Sequence, residues 1–210
     1  MTDRYRLRVQ LPDRPGALAS LAASIADAGG NVVSLDIHDL DGDHAVDDLV
    51  VLLPGSTPDA LGARLEASGV ATLLSWRVEA GTTDAVVRAL GWARAVLESG
   101  VGYADVELSR ALSEVSSADT AWVATVAEAD SIDAVRAAVA AGAATVTRQD
   151  PLPAAVGDGH AGGWLLVALD DPAEPTVVGL AARSDHRFTA TELARAEALL
   201  RLHRELRPIR

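Results

Sequence analysis

The sequence predicts an α+β protein of two domains, residues 1–80 and residues 84–210. Three observations carry that expectation. Between Tyr5 and Val78, runs that alternate apolar and polar residues at period two are separated by stretches with a helical period, in the order βαββαβ. Beyond residue 84, helical and strand-like runs continue in a different order. The chain finishes on a long amphipathic stretch with its own start signal.

The first run, Tyr5-Arg6-Leu7-Arg8-Val9-Gln10-Leu11, is a half-buried strand that stops at Pro12. Asp13-Arg14-Pro15-Gly16 breaks the chain. Leu18, Leu21, Ala22 and Ile25 then fall on one helical face, and Gly29-Gly30 supplies a left-handed stop. Asn31 to Leu40 reads as a strand with Val33, Leu35 and Ile37 on one face. Asp41-Gly42-Asp43 is a hairpin turn, and Ala45 to Leu53 is its partner strand, with Leu49, Val51 and Leu53 in alternation. Thr57-Pro58-Asp59 opens a second helix carrying Leu61 and Leu65 and stopping at Gly69. Val70 to Val78 is a fourth strand with Leu74, Trp76 and Val78 on one side. This order is the ferredoxin-like arrangement, a four-stranded antiparallel sheet with two helices on one face.

In the second domain Gly81-Thr82-Thr83-Asp84 is a connector and helix cap. Val86, Leu90, Ala93 and Leu97 form a helix that stops at Ser99-Gly100, and a helix from about Ala104 to Val115 follows. Ala121 to Ala127 is a strand, Ser131 to Ala141 a helix and Ala144 to Thr147 a short strand; Gly163 to Leu169 and Val177 to Arg183 read as a strand pair. Thr189-Ala190-Thr191-Glu192 is a capping box, and Leu193, Ala196, Leu199, Leu200 and His203 line the last helix. The expected architecture is a sandwich with a mixed or antiparallel sheet flanked by helices.

Composition removes much chemistry. The 210 residues carry 30 acidic and 18 basic side chains for a net charge of −12. Every basic residue is Arg, and Cys is absent. Lysine-dependent phosphate loops and Schiff bases are therefore excluded, as are thiol nucleophiles, disulfides and Cys-ligated metals. The acidity and the scattered arginines argue against a nucleic-acid surface. No apolar run is long enough for a spanning helix and no apolar signal region follows Met1, so a cytoplasmic location without membrane contact is expected.

Sharper motifs do not complete. Asp39, Asp41 and Asp43 lack the Gly and Glu of a calcium loop, since His44 and Val50 stand there, and read as a solvated hairpin tip. His38 and His44 have no third imidazole nearby, so no metal is expected. Gly157 to Gly163 precedes a strand rather than linking strand to helix and is not a dinucleotide loop. His160 and His186 lack a nucleophile, Trp122 and Trp164 read as core with pocket lining as the alternative, and His203 reads as a core or interface histidine. Neither a catalytic group nor a cofactor is expected, and the chain is read as a non-enzyme.

Asp13-Arg14-Pro15-Gly16-Ala17-Leu18 after the first strand, with Gly29-Gly30-Asn31-Val32 opening the second, resembles the ACT domain, a small regulatory module of amino-acid metabolism. The resemblance covers Tyr5 to Val78. It implies a fold that pairs through its sheet edges into a homodimer or higher oligomer and holds an amino acid or other small effector at the interface. The expected effector-binding set is Asp13, Arg14, Gly16, Ala17, Leu18, Asn31 and Val32. Gly16 admits close backbone approach, amides after Pro15 favour a carboxylate, and Asn31, across the loop, both donates and accepts. Asp13 either pairs with a ligand ammonium or closes the turn; family binders often carry an amide there. The C-terminal half is similar to a GAF domain through Thr176-Val177-Val178-Gly179-Leu180-Ala181-Ala182 and Phe188-Thr189-Ala190-Thr191-Glu192-Leu193. That resemblance implies a sensor with an apolar ligand or none, or a dimerising module. Together they imply an effector sensor acting on an unidentified protein partner, or an assembly module without a ligand.

Overall fold

The computed structural model describes residues 4–41, 43–79, 85–98, 104–126, 146–148, 164–171, 173–184 and 187–206. The chain divides into two compact units, Met1–Ala85 and Val86–Arg210. The expected helix over 131–141, the glycine-rich segment 157–163, the connector 81–84, the stop at 99–100, Gly42, His160 and His186 lie outside the described residues.

The first unit runs β1 (Arg4–Pro12), α1 (Ala17–Asp27), β2 (Asn31–Asp41), β3 (His44–Leu52), α2 (Pro58–Ala67), β4 (Thr72–Val78). The sheet order is β2-β3-β1-β4 with every neighbouring pair antiparallel. This is the ferredoxin-like βαββαβ topology, in which each helix crosses over one intervening strand. Leu7, Val9 and Leu11 of β1 and Leu49 and Val51 of β3 meet Leu21 and Ile25 of α1 and Leu61 and Leu65 of α2 in one core. Gly29 takes φ +77°, the left-handed stop after α1. Gly30 has a different role, because a Cβ there would lie 2.7 Å from a Leu53 methyl and 2.9 Å from Ile25. Thr57 caps α2 by accepting from the Ala60 amide at 3.2 Å.

Two expected faces are corrected by bulges. A register shift between Val32 and Ser34 takes Val33 out of the alternation, so Val32 and Leu35 pack on the core while Val33 and Ile37 are exposed. In β4, a shift opposite Arg8 and Val9 aligns Leu73 with Val9. Leu73 packs on the core, and Trp76 and Val78 are exposed.

The second unit runs α3 (Ala85–Glu98), α4 (Ala104–Val115), β5 (Thr120–Thr125), β6 (Val146–Arg148), β7 (Trp164–Leu169), β8 (Val177–Arg183), α5 (Ala190–Leu206). Its sheet, β5-β8-β7-β6, is antiparallel throughout the described strands. Alternate residues of β7 and β8 serve two apolar layers. Leu166, Ala168, Val177 and Ala181 meet Leu108 and Leu112 of α4 and Ala196 and Leu200 of α5, whereas Leu165, Val167, Leu169, Val178 and Leu180 form a layer with Trp122 on the opposite face. Trp164 packs against the helix-side cluster, and His203 is buried on α5.

The capping box is formed in full. The Glu192 amide donates to Thr189 Oγ1 at 3.2 Å, and Glu192 Oε2 accepts from the Thr189 amide at 2.8 Å. Glu192 also holds Arg183 in a bidentate pair at 2.9 and 3.0 Å; Arg183 in turn donates to the Ser116 carbonyl and lies 4.0 Å over the Phe188 ring. One fully buried guanidinium therefore ties the end of β8, the residue after α4 and the start of α5 together.

Candidate functional site

The β1–α1 loop is closed by its own backbone. The Asp13 amide donates to the Asp43 carbonyl at 2.9 Å, the Arg14 amide to Pro12 at 2.9 Å, and the Ala17 amide to Arg14 at 3.1 Å. Gly16 has φ +88°, a left-handed conformation that costs other residues about 1–2 kcal/mol. Nothing stands within 4 Å of where its Cβ would be. No side chain caps α1, and its first turn holds no acid. The positive end of α1 is thus left for an anion, whereas α2 has the Thr57 cap and Asp59 in its first turn.

Asn31 and Val32 do not join this loop within one chain. Asn31 is registered with Leu52, and Leu52 with Arg4, so Asn31 stands where β1 begins. Asp13 and Gly16 follow Pro12, where β1 ends. Strand rise places the two sets roughly 26 Å apart along the sheet. The expectation that Asn31 faces the loop is corrected for a topological reason: β2 runs parallel to β1 after the α1 crossover, so the start of β2 returns to the start of β1. Within one chain, Asp13, Arg14, Gly16, Ala17 and Leu18 form one group and Asn31 and Val32 another.

The sheet face opposite α1 and α2 holds a charge network whose arginines and acids belong to none of the sequence motifs. Arg8 grips Asp48 through Nε and Nη2 at 2.6 and 2.8 Å, with both side chains almost fully buried. Arg6 grips Glu79 in the same bidentate manner at 2.9 and 3.2 Å and stands 4.0 Å from Asp36. Asp36 and Asp48 are cross-strand partners, so the two arginines offset a like-charge pair. His38 is buried, with Nε2 3.1 Å from Asp48 Oδ2 at ion-pair distance but outside hydrogen-bond alignment. Burial alone would raise the Asp48 pKa; the Arg8 bonds and the nearby His38 outweigh it and hold the carboxyl far below the usual range.

Asp47 shows the opposite balance. It shares the β3 face of Ala45 and Leu49, is registered with Val9, and its Oδ1 has no hydrogen-bond partner among the described residues. Burial raises its pKa, with His38 lowering it and Asp48 adding to the rise. The available signal was two adjacent acids inside an otherwise apolar strand, facing a β1 that alternates Arg with Leu and Val.

His44 is exposed at the start of β3, registered with Asp41, and does not meet His38. Among the described residues no group of three or more His, Asp or Glu side chains is placed to hold a metal ion. No helix among them is long and apolar enough to cross a membrane.

No family model and no curated protein matches the chain. Among solved structures, the chain is similar to an unknown protein from Galdieria sulphuraria, at 14% identity over 98% of this chain and 94% of that one, with a TM-score of 0.34. It is similar to the ligand-free regulatory subunit of aspartate kinase from Thermus thermophilus at 13% identity over 99% and 95%, TM-score 0.30. The C-terminal domain of the MgtC protein from Mycobacterium tuberculosis matches 39% of this chain and 90% of its own at 19% identity, TM-score 0.28. Likenesses of this size assign nothing to the present chain, and its fold rests on its own strand register.

Proposed function

We propose that the chain is a non-catalytic regulatory protein of the ACT type, which binds a small effector, an amino acid, where two copies meet through their β2 edges. The observation that carries this reading is the separation of Asn31 from the β1–α1 loop. β2 is an edge strand 11 residues long. Two β2 edges pairing antiparallel about a two-fold axis bring the start of one against the end of the other, and with it Asn31 of one protomer toward the Asp13–Leu18 loop of its partner. The exposed Val33 and Ile37 on that strand add apolar area to such a contact. The uncapped start of α1 suits the effector's carboxylate, and the open space at Gly16 admits it. Asn31, with a donor and an acceptor, suits either end of the ligand.

Ligand held across the interface stabilises the paired arrangement by as much as its affinity differs between arrangements. In this reading the GAF-like second unit receives that change and presents it to a protein partner.

A second reading, an assembly module without a ligand, is favoured by one observation: the loop satisfies itself through the Asp13, Arg14 and Ala17 backbone bonds. Thermal unfolding against each of the twenty amino acids at millimolar concentration, with Asn31→Ala alongside, separates the two. Ligand at a hundred times its Kd adds about 2.7 kcal/mol. A melting shift with one amino acid that disappears in the variant supports the sensor; a flat panel with a persistent dimer supports the assembly module.

A further inference from the structure

The second unit carries an apolar face that its own core does not use. α3 is a helix of 14 residues, and among its described side chains none is buried. Val87 is 55% exposed, Leu90 65% and Leu97 57%. At about 100° per residue these three share one side of the helix with Gly91, Arg94 and Glu98, while Trp92 and Ala95 on the other side are half-buried. Positions 87, 90, 94 and 97 have the spacing of a heptad seam. A helix this short is marginal in water unless its apolar face is covered.

The face fits a second copy of itself. In an antiparallel pair about a two-fold axis at the level of Trp92, Val87 meets Leu97 of the other copy and Leu90 meets Arg94. A parallel pair would set Arg94 against Arg94. In the antiparallel one, each Arg94 keeps its own Glu98 at 2.8 Å and lays its aliphatic stem over Leu90 of the other helix. The first turn of α3 holds no acid, and Glu98 of the second copy comes to stand beside that positive end. Gly91 adds an observation of another kind. A glycine in mid-helix weakens the helix relative to alanine, yet nothing stands within 4 Å of where its Cβ would be. It borders the seam, where a missing side chain lets two backbones approach.

We propose that α3 is a self-association surface of the second unit, pairing antiparallel with α3 of a second copy through Val87, Leu90, Arg94 and Leu97. A helix face roughly 21 Å by 10 Å falls well short of the roughly 800 Å² that a stable interface takes from each partner. The contact is therefore weak alone and adds to other contacts between copies. It belongs to the second unit, so it stands or falls separately from the β2 pairing and from the effector.

Because the chain has no Cys, single cysteines report the pairing directly. Full-length Val87→Cys and Leu97→Cys, one of them carrying an affinity tag, are oxidised alone and as a mixture. The expected result is a disulfide-linked heterodimer in the mixture and no link in either variant alone. Like positions lie about 15 Å apart along the antiparallel pair, whereas a disulfide needs Cα atoms within about 7 Å. Leu90→Glu is expected to weaken self-association severalfold by sedimentation equilibrium. Ala89→Glu, exposed on the same helix but off the seam, should leave it unchanged. Links formed by each variant alone would mean parallel pairing. No link in any sample, or equal effects of Leu90→Glu and Ala89→Glu, would mean that α3 does not meet α3. Either result overturns the proposal.

Discussion

Asn31 and Gly16 lie at opposite ends of one sheet, although 15 positions apart in sequence, because the α1 crossover returns the chain to the end at which β1 began. A site that uses both needs two copies of the chain. Ile37, 66% exposed on the β2 edge, offers the direct handle. Ile37→Lys places a charge on the β2 edge proposed to pair, without disturbing the core. It is expected to weaken self-association at least tenfold by sedimentation equilibrium while the circular dichroism spectrum stays native. Unchanged association would remove β2 from the interface.

The buried Arg8–Asp48 pair gives a second expectation. Removing one partner leaves an uncompensated buried charge, at about 3–5 kcal/mol. Arg8→Met or Asp48→Ala should therefore lower denaturant stability by that order. Arg94→Ala, which breaks an exposed pair with Glu98 one helical turn away, should leave it essentially unchanged. Because the Asp48 pKa is depressed in the fold, its contribution is complete above the ordinary carboxylate range and is lost as pH falls through the lower folded value. Wild-type protein should lose stability on acidification more steeply than Asp48→Asn.

Asp47 should behave with the opposite sign. Its raised pKa means that the protonated form suits the fold, so its contribution is present below the ordinary value and is lost as pH rises through the folded one. Asp47→Asn, which removes the buried charge, is expected to raise the melting temperature of the chain at pH 7. The gain should shrink as pH falls through the raised folded value toward the ordinary carboxylate range, where wild-type Asp47 is itself neutral. Melting curves of the two proteins from pH 3 to 8 check this, and a gain that does not vary with pH would refute the assignment.

In the second unit, Thr189→Ala removes both hydroxyl bonds to Glu192, the one accepted from its amide and the one donated to its carboxylate, and should cost about 1 kcal/mol. Glu192→Ala strands Arg183 and should cost about 3–5 kcal/mol. Hydrogen exchange should locate both losses at the start of α5, with the larger loss reaching Ser116, whose carbonyl Arg183 also holds.

The sequence made the order of elements readable because each had a period and a stop: Pro12 ending β1, Gly29 ending α1, Thr57 opening α2 and the Thr189–Glu192 box opening α5. The bulges at Val33 and beside Leu73 were not readable, since a bulge shifts register against a neighbour, and period-two alternation has no knowledge of that neighbour. The same gap hid the charge network. Arg8 and Asp48 are 40 residues apart, and only the β1–β3 register makes them partners. Of the candidate site, the loop and its glycine were legible as local chemistry. The distance to Asn31 was not, because it follows from the direction in which β2 runs.

Mixing two inactive variants tests the shared site most directly. Asn31→Ala and Gly16→Val each abolish a site composed of one protomer's loop and the other's Asn31, yet a dimer of the two retains one intact site. Random mixing makes half the dimers mixed, each with one of two sites working, so about a quarter of wild-type binding capacity should return with wild-type Kd. No recovery on mixing, with dimers confirmed to exchange, would contradict the shared site.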